Sequence, residues 1–117
     1  MERLPNYRSP NFIRDRVVFQ GSNLWSMRDE YGYRVFSFQT CIAAYVDDVW
    51  YINDTKYSQR TGVHQSYVKR GLQDLILQDK VVHLYHLSRG SIFIEDRGTN
   101  TPAMRMRINR LKDGQYV

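Results

Sequence analysis

The chain holds one cysteine, Cys41, in 117 residues, so no disulfide can close within it. A small domain without a disulfide framework belongs with reducing compartments. No apolar run approaches the ~20 residues that a membrane-spanning helix needs, and the opening MERLPNYRSPNF lacks the apolar core of a signal peptide. The expectation is a soluble cytoplasmic protein with no membrane partner. Glycine-rich phosphate loops and nucleophile elbows are missing too. His83 and His86 would point to opposite faces of a strand, and neither is spaced to join His64 around one ion. With a single cysteine, neither a metal nor a cofactor is expected. No repeat, low-complexity tract or linker divides the chain, and its length suits one domain.

What is present is apolar and aromatic enough for a core: 42% hydrophobic residues and nine tyrosines. Seventeen Lys and Arg face twelve Asp and Glu, a formal charge of +5. Arginine dominates the cations, and its planar fork suits phosphate or carboxylate recognition. A modest positive excess permits nucleic-acid or acidic partners without requiring them.

Residues 1–15 carry Pro5 and Pro10 without periodicity and read as an extended basic, aromatic arm. Residues 16–117 read as a single α+β domain. Strand patterns run over RVVFQ (16–20), LWSMR (24–28), YRVFSF (33–38), CIAAYV (41–46) and VWYIN (49–53). Turn residues separate them, with Gly32 suited to a left-handed turn position. Asp47-Asp48 predicts a two-residue turn that sets Tyr45 opposite Trp50, making Trp50 structural. Adjacent carboxylates can serve catalysis or metals, but at a hairpin tip both point into water.

At Thr61 the period changes. His64, Val68, Leu72, Leu75 and Ile76 share one helical stripe, while Ser66, Arg70, Gln73 and Asp74 lie opposite. This predicts one amphipathic helix over about 61–78, capped by Thr61, packed against a small antiparallel meander. Further strands follow in VVHLYHL, SIFIE and AMRMRIN. Capping at Ser58 would push Gly62 deeper into the helix, where glycine is costly. His64 falls on the apolar stripe near the cap. No neighbour in sequence supplies a carboxylate to orient its imidazole, so Thr61 and His64 read as architecture rather than as acid–base machinery.

The elements V35-x-S37, T40-x-I42-A43, W50-Y51 and Y57-S58-x-x-T61-x-x-H64-x-x-x-V68 resemble a family of small proteins from bacteriophages, archaeal viruses and mobile elements, over roughly residues 21–76. Phe38, Cys41 and Arg60 depart from the family's usual tyrosine, proline and threonine. The resemblance implies a viral origin, hence the host cytoplasm, a helix packed on a small antiparallel sheet, and a structural role for Thr61 and His64. It implies no activity.

Two non-enzymatic functions fit these patterns. One is a binder of nucleic acid or of a nucleoprotein complex, using Arg3, Tyr7, Arg8, Arg14 and Arg16 on the arm. Lys69 and Arg70 on the helix and Arg105 and Arg107 on the last strand would join them. Guanidinium groups hold phosphates while rings stack on bases. The alternative is an inhibitor of a host protein, an anti-defence factor or a virion accessory protein, for which tyrosine- and arginine-rich surfaces also suit. No convergent set of titratable groups supports an enzyme.

Overall fold

The computed structural model describes residues 3–30 and 32–85. Its sheet has five strands in sequential order: β1 (Leu24–Asp29), β2 (Gly32–Ser37), β3 (Thr40–Val46), β4 (Val49–Asn53) and β5 (Val81–Leu84). The first four form the antiparallel meander, and β5 lies parallel to β4, with Trp50 opposite Val81 and Ile52 opposite His83. The fold is α+β with a mixed sheet. The parallel pair follows from the helix: it carries the chain back along the sheet, so β5 starts at the same end as β4.

Between those strands lie α2 (Gln59–Gly71) and α3 (Gln73–Leu77), separated at Leu72, whose φ is -106° and ψ 15°. The single helix expected over 61–78 is therefore two, and it starts earlier. Ser58, not Thr61, is the N-cap: its Oγ accepts from the Thr61 N–H at 3.1 Å. The expected stripe does face inward. His64, Val68 and Leu72 are buried, and Leu75 and Ile76 pack against the core.

The amino-terminal segment departs most from expectation. Residues 6–14 are not an extended arm: a 3-10 turn (Asn6–Arg8) leads into α1 (Ser9–Arg14), with Ile13 fully buried. Pro10 lies in the first turn, where its missing N–H costs nothing. A helix of six residues is too short to display a period. The asparagine Asn6 clamps this segment to the turn before β1. Its Oδ1 accepts from the Ser22 N–H at 2.7 Å and its Nδ2 donates to the Ser22 carbonyl at 2.8 Å.

Residues 16–20, expected as a strand, form none: Gln20 alone makes isolated bridges, to Arg3 and Trp25. Arg16 adopts φ 54°. Phe19 exchanges bonds with Ser26, donating to the hydroxyl at 2.9 Å and accepting from the N–H at 3.0 Å. The segment runs along β1 and blunts that sheet edge.

Two buried clusters lie on opposite faces. On the helical side Ile13, Phe19, Val35, Ile42, Trp50, Ile52, Val68 and Leu72 meet; on the other are Phe36, Cys41, Ala44, Tyr51 and Leu84. A register shift at Val35/Phe36 leaves Ile42 as an extra residue, so neighbours Ile42 and Ala43 both join the helical side. Asp47 and Asp48 turn with φ 51° and 66°, the left-handed pair of a tight hairpin. Tyr45 faces Trp50 across that hairpin, ring centroids 5.3 Å apart. Gly32 has φ +150°, and a Cβ there would lie 2.2 Å from the Tyr45 carbonyl oxygen.

Candidate functional site

The stretch from Ser58 to His64 is tied to the sheet by a partner that local sequence does not announce. Ser37, at the end of β2, has its Oγ 2.6 Å from His64 Nδ1 and donates to Thr61 Oγ1 at 3.1 Å. Ser58 Oγ also donates to Thr61 Oγ1, at 3.2 Å. Ser37 is 0% exposed and His64 6%, and burial holds the imidazole pKa below its ordinary value. The buried serine–histidine pair links helix to strand.

A carboxylate does orient an imidazole elsewhere. Asp54, just beyond β4, is ion-paired with Lys69 of α2, Oδ1 2.7 Å from its ammonium, and its Oδ2 lies 2.5 Å from His83 Nδ1 on β5. The Asp54 side chain is 8% exposed. Sequence spacing hides this trio, because only the parallel pairing of β4 with β5 brings Asp54 and His83 together. One legible sign existed: a single aspartate at the carboxyl end of a strand that feeds a helix.

The expected binding residues divide among several places. Arg3 lies beside Gln20 through an isolated bridge. Arg14 is paired with Asp74 of α3 at 2.6 Å, and Lys69 is held by Asp54. The Arg16 guanidinium stacks 4.2 Å over the Tyr45 ring, in a basin of mixed charge that includes Arg28, Glu30, Asp47 and Asp48. Arg105 and Arg107 lie outside the described residues, as do SIFIE, AMRMRIN and His86.

Arg70 precedes Gly71, where α2 meets α1, and Tyr7 and Arg8 lie in the 3-10 turn that leads into α1. Gly71 ends α2 against α1 so closely that a Cβ there would sit 2.5 Å from the Pro10 carbonyl oxygen. Tyr7 is 63% exposed, Arg8 is exposed, and Arg70 stacks 5.6 Å over Tyr67. Among the described residues neither Arg8 nor Arg70 meets a carboxylate.

Among the described residues no group of three or more His, Cys, Asp or Glu side chains could hold a metal ion, and no helix is long and apolar enough to cross a membrane. No family model, curated protein or solved structure matches the chain.

Proposed function

We propose that this chain is a non-enzymatic binding protein that holds nucleic acid, or a complex that handles it, on the surface where α1 meets α2. The observation that supports this is the exposure of these side chains: Arg70 adjoins the contact between Pro10 and Gly71, Tyr7 and Arg8 lie in the turn that leads into α1, and neither arginine meets a carboxylate among the described residues. Guanidinium groups there can reach phosphates while Tyr7 offers a ring to an unstacked base. The Asn6 clamp anchors this patch to the sheet, so less ordering entropy is lost on binding than a free arm would lose. The resemblance over residues 21–76 favours a viral setting.

The test is a gel shift with single- and double-stranded probes across a salt series. Binding through phosphates weakens steeply with salt, and each lost cation lowers the log–log slope by about 1. Arg8→Ala with Arg70→Ala should reduce the slope and the affinity while leaving the melting temperature unchanged. No shift with any probe at low salt removes this reading.

A second reading, inhibition of a host protein, is favoured by apolar exposure on the same helical side. Leu77 is 78% exposed on α3, and such a side chain suits a protein partner better than a phosphate backbone. Its expected outcome is a stoichiometric complex in a host-lysate pull-down that Leu77→Asp abolishes.

A further inference from the structure

A cleft of about 480 Å3 opens where β4 passes into α2, walled by Asp54, Lys56, Tyr57, Ser58, Gly62 and Lys69 among others. The nucleic-acid surface proposed above does not depend on it.

Its wall is set by the protein alone. Gln65 Nε2 donates to the carbonyls of Asn53 and Thr55 at 2.7 and 2.8 Å, and Asn53 Nδ2 donates to the Tyr57 hydroxyl at 3.1 Å. The loop between strand and helix therefore holds its shape without an occupant.

Its charge is equally defined. The Asp54 carboxylate is engaged by Lys69 and His83 and is 8% exposed, so it is committed within the protein. The Lys69 ammonium is ion-paired with Asp54 and its side chain, 49% exposed, also lines the cleft. Lys56 is exposed and has no acidic partner among the described residues. Among the described residues that line the cleft, the one carboxylate, Asp54, is ion-paired, and Lys56 and Lys69 supply positive charge.

Gly62 is the remaining observation. It lies inside α2, where only proline is less favourable. Its φ is not positive, and a Cβ there would meet nothing within 4 Å. No turn, strain or close approach within the fold calls for glycine. What the missing side chain preserves is the open space of the cleft.

We propose that this cleft binds a small organic phosphate, its phosphate group between Lys56 and Lys69 and its carbon skeleton beside Tyr57. Ammonium groups act as point charges that suit a tetrahedral anion with acceptors on every side, whereas the planar carboxylate is matched by arginine. Among the described residues no arginine lines the cleft. The volume lies within the range of small-molecule sites and well above that of an inorganic ion.

Calorimetric titration of the full chain tests this, with adenosine 5′-monophosphate as probe and inorganic phosphate, adenosine and benzoate as comparisons. Adenosine 5′-monophosphate should bind, inorganic phosphate more weakly, and adenosine and benzoate at least tenfold more weakly. Gly62→Leu should remove binding while circular dichroism and the melting temperature report an intact fold. Lys56→Gln, an exposed change, should weaken it at least tenfold and covers the case in which Gly62→Leu fails to fold. The Arg8→Ala, Arg70→Ala variant should bind the nucleotide as the parent does, which separates this site from the nucleic-acid surface. No binding of the nucleotide at millimolar concentration overturns the proposal. So does equal binding by a folded Gly62→Leu, undiminished binding by Lys56→Gln, or benzoate binding as tightly as the phosphate.

Discussion

Two glycines on α2 face opposite surroundings, and alanine at each should have opposite effects. At Gly62 a Cβ meets nothing within 4 Å, so Gly62→Ala gains helix propensity without a clash. Urea unfolding should show stabilisation of about 0.5–1 kcal/mol. At Gly71 the same Cβ lies 2.5 Å from the Pro10 carbonyl oxygen. Backbone against backbone cannot yield cheaply, so Gly71→Ala should destabilise by about 1–3 kcal/mol as α1 is pushed off α2. Equal tolerance of alanine at both would mean that α1 does not press on Gly71. Ser37 carries a similar argument: Ser37→Ala deprives the buried His64 Nδ1 of its partner and leaves Thr61 Oγ1 with Ser58 alone, at a cost of about 1–3 kcal/mol.

At the scale of elements, the start of α2 rests on Ser58. Removing its hydroxyl orphans the Thr61 N–H, and Ser58→Ala should cost about 1 kcal/mol in the same unfolding measurement. The sequence offered Ser58 and Thr61 as rival caps, each able to accept a bond from the first turn. Gly62 tipped the expectation towards Thr61, since it minimised the glycine penalty. The structure accepts that penalty and turns the Thr61 hydroxyl towards Ser37 and Ser58 instead. Local energies of about 1 kcal/mol decide between adjacent caps only until a tertiary contact of equal size intervenes. The amino-terminal segment follows the same logic. Pro10 and the aperiodic run around it said little, and burial of Ile13 against α2 and the sheet is what makes α1 worthwhile.

For the molecule as a whole, acid should be destabilising in a window that His64 helps to set. Its pKa is lowered by burial, so between its folded value and the unfolded value near 6.5 the unfolded chain binds more protons than the native one. Stability then rises with pH across that window and is lost as pH falls through it. The melting temperature should drop between pH 7 and pH 5. His64→Gln, which stays neutral, should flatten that part of the profile; an unchanged slope would mean that the imidazole is not held neutral by the fold. Burial likewise pushes the Tyr33 phenol up to about 12, so that tyrosine should be among the last to ionise in an absorbance titration.

Alternation, turn residues and a single 3.6-residue period were enough by themselves to determine the α+β class, the meander of β1 to β4, the Asp47-Asp48 hairpin and the inward stripe of α2. Each depends on residues close together in the chain, where spacing alone says which side chains share a face. Only the tertiary structure decided the parallel place of β5, the seating of α1 on Gly71, the Ser37 anchor of His64 and the Asp54–Lys69–His83 trio. Those contacts join residues far apart in sequence. Their free energies appear only after the crossover through α2 and α3 has closed the distance.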